Sequence, residues 1–343
     1  MERDLPKPEQ VKRILVVKLS SLGDLFHALP AVHNLKAASG ATVDWLVQPA
    51  YHDLVRCFRD VDRVLTFPRR DFPRFALRFL SELRRERYDL VVDLQGLLKS
   101  AIPARLTRRT RGAPVLGPSF RREGAQLFYH AVAGPRNKAR HAVEENLDAI
   151  RRLGWPEIAP AFPVSFPRQV PPGAGPRVAF VPASRWPTKN WAPAHFARVA
   201  DELIGRGATV FLTGGREEAA ACAAIAAELR GRAGLINRCG ETTLVELGSL
   251  LQEMQLVLTV DSGPMHLAAA LGVPVLALFG PTDPARTGPY GPNARVLWAR
   301  DLSCRPCFAA ACHRGDCACL QQIYPSRVLE EALDFLRAAG HPL

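Results

Sequence analysis

The chain predicts an α/β protein made of two doubly wound, Rossmann-like halves facing a central cleft. Three observations carry that reading. Short apolar runs alternate with amphipathic stretches through both halves. A stretch at 160–176, with six Pro, two Gly and no periodicity, separates them. Each half also holds a polar strand–turn–helix junction, at 17–24 and at 260–266. Alternating β and α segments with short loops build a parallel sheet wrapped on both faces. Pro and Gly without period mark a linker.

In chain order, apolar runs predict strands at 13–18, 42–47, 63–67 and 89–93 in the first half. Spacing near 3.6 predicts helices at 25–38, 73–87, 97–106 and 143–153. The second half repeats the pattern. Strands are expected at 178–181, 209–213, 256–260 and 273–279, and helices at 194–205, 217–230, 244–251 and 263–271. A capped amphipathic helix at 326–339 closes the chain. The domains are therefore expected at 1–165 and 177–343, a GT-B-like arrangement. A dinucleotide dehydrogenase competes on fold alone, but the first junction has a single glycine, Gly23, and lacks G-x-G-x-x-G.

At 343 residues the chain is long enough for about two full cores. No run approaches the roughly 20 apolar residues of a membrane helix. The charged segment 1–12 lacks the apolar region of a secretory signal, so a cytoplasmic protein is expected. The formal charge of +12 is large. Arginine pairs at 69–70, 84–85, 108–109, 121–122 and 151–152 place much of it in the first half. That bias favours an anionic partner there over solvated helix faces. With five Tyr, five Trp and no basic segment interleaved with aromatics, no nucleic-acid module is expected.

The junctions carry the chemistry. In Lys18-Leu19-Ser20-Ser21-Leu22-Gly23-Asp24, a carboxylate stands where a strand feeds a helix. Asp24 suits an N-terminal cap, and equally a general base that takes a proton from an attacking sugar hydroxyl. His27, one turn on, reads as an ordinary helix residue. In the second junction, Ser262 and the Gly263 N–H would meet a diphosphate at a helix start. Pro264 suits the first helical turn. Asp261 and His266 would hydrogen-bond nucleoside or sugar. The loop 182–191 adds Ser184, Arg185, Thr188 and Lys189, whose cations can neutralise charge on a leaving diphosphate. Thr282 and Asp283 follow another apolar strand and would border the same crevice.

These segments resemble glycosyltransferase family 9, the ADP-heptose:lipopolysaccharide heptosyltransferases. The motifs stand in family order: V-K-L-S-S-L-G-D-L-F-H-A-L-P-A at 17–31, Y-D-L-V-V-D-L-Q-G at 88–96, S-R-W-P-T-K-N-W at 184–191, V-D-S-G-P-M-H-L-A-A-A-L-G-V-P at 260–274 and F-G-P-T-D-P at 279–284. The first and third are more like the type I enzymes than type II. The resemblance implies a GT-B fold and inverting, metal-independent transfer of heptose from ADP-heptose. It puts the catalytic base on Asp24 and the phosphate-binding hydroxyl and lysine on Ser184 and Lys189. Nucleotide and sugar contacts fall on Asp261, Ser262, Gly263 and His266, and an acidic nucleoside contact on Glu217 or Glu218. The Arg-rich half suits an anionic acceptor such as Kdo-lipid A, with Ser21, Arg69 and Arg121 as candidate contacts and a peripheral station at the inner membrane. A heptosylated core, an autotransporter protein, or nucleotide-sugar binding without turnover are the competing readings.

Five of eight cysteines fall at 304–319. Cys304, Cys307, Cys312 and Cys319 follow a pattern found in many family members. The spacing admits a structural metal or a compact loop of free thiols, since a reducing compartment disfavours disulfides.

Overall fold

The computed structural model describes residues 5–68, 72–137, 139–172, 175–229 and 232–341. It divides into two compact units, Met1–Ser165 and Phe166–Leu343, each with its own sheet. The boundary falls inside the Pro-rich stretch at 160–176.

Unit 1 contains β1 (Arg13–Val17), α1 (Leu22–Ser39), β2 (Thr42–Val47), α2 (His52–Val55), β3 (Arg63–Thr66), α3 (Phe72–Leu83), β4 (Leu90–Asp93), α4 (Leu98–Leu106), β5 (Val115–Pro118), β6 (Ala131–Ala133) and α5 (Ala142–Leu153). Its six strands lie in the order β3-β2-β1-β4-β5-β6, with every pairing parallel. Unit 2 contains β7 (Arg177–Val181), α6 (Pro193–Gly205), β8 (Thr209–Leu212), α7 (Ala219–Glu228), β9 (Leu235–Asn237), α8 (Leu244–Leu251), β10 (Leu256–Val260), α9 (Gly263–Ala270), β11 (Val275–Phe279), α10 (Pro284–Thr287), β12 (Ala294–Trp298), α11 (Ala318–Gln321) and α12 (Pro325–Ala338). Its order is β12-β11-β10-β7-β8-β9, again all parallel. The two sheets share one topology. The strand order reverses between β1 and β4 in one and between β7 and β10 in the other. Ligands of doubly wound sheets bind at the carboxyl ends of the strands flanking such a reversal.

Central strands are buried on both faces, which explains their continuous apolar runs. Leu15, Val17, Leu46 and Val91 meet Phe79 and Leu83 of α3 in unit 1, and Phe180, Leu258 and Leu278 meet Phe196 and Leu336 in unit 2. Gly248 of α8 is required by packing: a Cβ there would stand 2.4 Å from the Phe166 ring. The strands β5, β6, β9 and β12 were not anticipated. β6 and β9 are three-residue edge strands, A-V-A and L-I-N, which carry little periodic signal. The helix expected at 73–87 ends at Leu83, and the one expected at 217–230 begins as a 3-10 turn at Arg216–Glu218. Among the described residues no helix is long and apolar enough to cross a membrane.

Candidate functional site

Both polar junctions fall at the reversal points. In unit 1, β1 ends at the buried Val17 and the chain leaves through Lys18-Leu19-Ser20-Ser21 into α1. The loop after β4 grips that turn. Gln95 Oε1 accepts the N–H groups of Leu19 and Ser20 at 2.9 and 3.1 Å. Asp93, at the end of β4, holds the gripping loop in shape. Its Oδ1 accepts the Gln95 and Gly96 N–H groups, and its Oδ2 accepts the Ser100 and Tyr129 hydroxyls at 2.8 and 2.7 Å. Burial raises the Asp93 pKa against those bonds.

Asp24 stands in the first turn of α1. Its Oδ2 accepts the Ser21 N–H at 2.8 Å and the Ser21 hydroxyl at 2.9 Å. The carboxylate therefore caps the helix with one oxygen and keeps the other, which lies 3.9 Å from His27 Nδ1. Surrounding chain pushes its pKa up. The neighbouring His27, the Lys18 charge and the Ser21 N–H outweigh that, so Asp24 sits well below the usual carboxylate range. Nearly half of its side chain remains exposed. His27 is buried, adjoins Asp24 and meets the His141 ring edge-on at 5.6 Å. Lys18 is buried beneath the turn, donates to Leu94 O at 2.6 Å and lies 5.6 Å from the Phe120 ring centroid. Burial lowers its pKa, opposed by the charges of Asp24, Asp93 and Glu145.

Of the candidate acceptor contacts, Ser21 forms the turn itself and its hydroxyl is engaged by Asp24. Arg121 follows β5. A Cβ on Gly96 would lie 3.2 Å from its Cα, so the Arg121 loop rests directly on the gripping loop. Its Nε is buried without a hydrogen-bond partner, and its Nη1 donates to Ser119 O at 3.3 Å. Arg69 lies outside the described residues.

In unit 2, β10 runs into Asp261, Ser262 and α9. Ser262 has the extended backbone of a cap, but its side chain does not cap α9. Its hydroxyl faces Thr259 Oγ1 at 3.3 Å instead. The first-turn N–H groups, Gly263 among them, thus lack a side-chain cap and present a positive helix end. Asp261 is buried and doubly engaged: Lys189 Nζ stands 2.8 Å from Oδ2, and the Thr282 hydroxyl donates to the same oxygen at 2.6 Å. Lys189 also lies 4.8 Å from the Trp186 ring centroid. The loop after β7 that presents Lys189 is pinned by Asn190, whose Oδ1 accepts the Ser184 N–H at 2.7 Å and whose Nδ2 donates to Ser184 O. His266 is buried in α9.

The structure thus joins Ser184, Lys189, Asp261, Ser262 and Gly263 around one reversal point. The structure adds local detail at three of the candidate positions. Thr188 is buried and donates its hydroxyl to Ala309 O at 2.8 Å, which ties the loop to the Cys-rich segment. Asp283 caps α10 by accepting the Ala285 N–H. Between the two glutamates, Glu218 accepts the Gly215 N–H at 2.7 Å, which leaves the exposed Glu217 as the outward carboxylate. Arg185 is exposed beside the loop. Gln95 and Asn190 were not singled out from sequence. Each nonetheless lies within a motif of the resemblance, Gln95 at 88–96 and Asn190 at 184–191.

Cys304, Cys307, Cys312, Cys317 and Cys319 border one cavity of about 20 Å³, and all are free thiols. The described residues contain no group of three or more His, Cys, Asp or Glu placed to hold a metal ion, so the structural-metal expectation has no geometric support. The segment docks through bonds to backbone carbonyls, from its own N–H groups and from the Arg305 guanidinium. Cys307 and Phe308 N–H donate to Pro281 O, and Arg305 donates to the carbonyls of Gly280, Ala299 and Thr282.

The family model described as glycosyltransferase family 9 (heptosyltransferase) matches residues 76–317. Lipopolysaccharide heptosyltransferase 1 of Pseudomonas aeruginosa is 34% identical over 316 residues, covering 88% of this chain and 87% of the relative. The solved E. coli heptosyltransferase WaaC with ADP superposes with a TM-score of 0.75 at 26% identity, covering 94% of this chain and 99% of that one. The same enzyme with ADP-2-deoxy-2-fluoro heptose gives 0.73, with 93% and 98% covered. The paired Rossmann-like units match the GT-B-like two-domain architecture of these structures. The chain belongs to glycosyltransferase family 9, the heptosyltransferases, and is a glycosyltransferase.

Proposed function

We propose that this enzyme transfers heptose from ADP-heptose to the Kdo of a lipid A inner core, with inversion, during lipopolysaccharide biosynthesis. Its likeness to relatives named heptosyltransferase 1 favours the first heptose addition. The observation that carries the mechanism is the half-exposed Asp24 carboxylate. It is held ionised, with one oxygen committed to the helix cap and the other available.

In this reading Asp24 Oδ1 takes the proton of a Kdo hydroxyl as that oxygen bonds to the anomeric carbon of heptose. The bond from that carbon to the ADP oxygen breaks, and its electron pair leaves with the diphosphate. A carboxylate far below neutral pKa is a weak base, so it acts as the bond forms rather than by prior ionisation of the alcohol. Lys189, the Ser184 hydroxyl and the start of α9 stabilise the leaving diphosphate. Asp261 and His266 hold nucleoside or sugar, with Arg185 and Glu217 beside them. Unit 1, through the Ser21 turn, Arg69 and Arg121, takes the anionic acceptor. Contact with the cytoplasmic face of the inner membrane follows from the acceptor's acyl chains.

The test is ADP release from ADP-heptose with three acceptors: Kdo-lipid A, the same glycolipid already carrying one heptose, and an autotransporter protein. Release with heptose-free Kdo-lipid A alone is expected. Release only with the heptosylated glycolipid or the protein would replace the acceptor assignment. Donor binding without release in any arm would leave a nucleotide-sugar-binding protein.

A further inference from the structure

The amphipathic logic of α4 is inverted. Its inward face carries small residues, Ser100, Ala101, Pro103 and Ala104, all buried. Its large side chains, Leu98, Ile102 and Leu106, recur every four residues and are exposed. A core-facing helix does the opposite. The neighbours extend the pattern. The 3-10 turn Ala125–Phe128 packs on α4 and holds Leu127 83% exposed, and α3, also packed on α4, holds Leu77 85% exposed. Five of the ten exposed large apolar side chains among the described residues therefore fall on three adjoining elements. Scattered exposed leucines need no explanation, whereas a cluster marks an interaction surface.

Charge selects the occupant. Arg74, Arg78, Arg105 and Arg122 are exposed on the same elements and in the adjoining loop. Among the described residues none of them pairs with a carboxylate. Two described carboxylates on or beside these elements are engaged elsewhere: Glu82 pairs with Arg63, and Glu123 accepts the Leu98 N–H. A second copy of the chain would set this basic face against itself, which like charges oppose. An anionic bilayer meets both features, offering headgroup charge to the arginines and an acyl boundary to the leucines.

We infer that unit 1 docks on an anionic membrane surface through the exposed leucine and isoleucine face of α4, extended by Leu77 and Leu127 and flanked by arginines. The inference rests on the proposed glycolipid acceptor for its purpose. α4 begins directly after the loop in which Gln95 grips the Asp24 turn, so docking would present the bilayer at the acceptor end of unit 1.

The test is co-sedimentation of the full chain with vesicles of phosphatidylcholine, alone or mixed with phosphatidylglycerol. Binding is expected only to the mixed vesicles and should weaken with salt. Leu77→Ser with Leu127→Ser, at positions too exposed to disturb the core, should cut partitioning about tenfold or more. Arg78→Glu and Arg105→Glu should each cost about fivefold or more. Both sets should keep wild-type ADP release with a water-soluble, deacylated Kdo acceptor and show a raised KM for acceptor embedded in vesicles. Failure of the wild type to bind mixed vesicles, or unchanged binding by the leucine variants, would overturn the docking. So would a dimer in sedimentation velocity that the leucine changes dissolve, since that outcome assigns the face to a second copy. If the wild type releases no ADP with the soluble acceptor, the proposed reaction fails, while the vesicle result still decides the docking.

Discussion

The Asp24 turn and the Asp261 turn are built alike and are electrostatically opposite. Each follows a central parallel strand at the reversal point of its sheet, and each is tied to the loop after the strand across that point. At Asp24 the tie is neutral: the Gln95 amide holds the backbone and leaves the carboxylate half-exposed with one oxygen unspent. At Asp261 the tie is ionic: Lys189 and Thr282 share one buried carboxylate oxygen. The first arrangement suits a group that accepts a proton. The second suits a preset cation whose position is fixed before a diphosphate arrives. Near-identical topology thus carries two electrostatic arrangements, and the partner on the neighbouring loop distinguishes them.

The sharpest break of that contrast is Asp24→Asn. The amide can still accept the Ser21 N–H, so the cap survives while the base is lost. We expect kcat to fall about 10²–10⁴-fold, with ADP-heptose affinity unchanged. Near-normal turnover would leave Asp24 as a cap alone. The pH dependence adds a second reading. A carboxyl held below its unfolded value, near 3.9, stabilises the fold above that value and loses the contribution as pH falls through the folded pKa. The Tm gap between wild type and Asp24→Asn should therefore be flat from neutral pH to about pH 5 and shrink in stronger acid. An acid limb of kcat/KM near pH 6–7 that Asp24→Asn abolishes would contradict the depressed pKa.

Next in size is Lys189→Ala, which removes the cation and strands the Asp261 carboxylate. Turnover should drop about 10²–10³-fold with weaker ADP binding. Stability should fall by about 3 kcal/mol, because a buried charge loses its partner. Adding Asp261→Asn should restore Tm and leave ADP binding weak. If the double variant is as unstable as the single, the ion pair is not the source of the loss.

Gln95→Ala probes the neutral tie. Two N–H groups lose their acceptor, at about 1–3 kcal/mol. Thermal unfolding should register this, and the acceptor KM should rise while ADP affinity holds. Gln95→Glu, which keeps an acceptor oxygen, should recover most of the stability. A fall in ADP affinity instead would detach Gln95 from the acceptor end.

The smallest effect is expected from Thr188→Val. It preserves shape and deletes the bond to Ala309 O, at about 1 kcal/mol. ADP affinity measured by titration calorimetry should be unchanged. A tenfold weaker ADP Kd would return Thr188 to the nucleotide site.

Much of this was legible beforehand. The strands Thr42–Val47 and Leu256–Val260 and the helix Leu244–Leu251 match the expected bounds, because apolar period and turn residues are local properties. The short strands β6 and β9 were invisible, since three residues carry no period. Candidate site residues were proposed by type and position, but their partners were not readable. Asp24 could be cap or base, and the structure makes it a cap with an oxygen to spare. Thr188 sits in the motif at 184–191, yet its hydroxyl points to a segment 121 residues away.

By itself the sequence determined two parallel-sheet units, the polar junctions between strand and helix in each, and the basic bias of the first half. Periodicity, turn chemistry and composition act over a few residues and need no knowledge of neighbours. Tertiary structure alone decided that Gln95 reaches a turn 76 residues away, that Lys189 pairs with Asp261, and that α4 turns its large side chains outward. Those facts depend on which strands lie side by side across each reversal point, and that order is set by the packing of whole sheets.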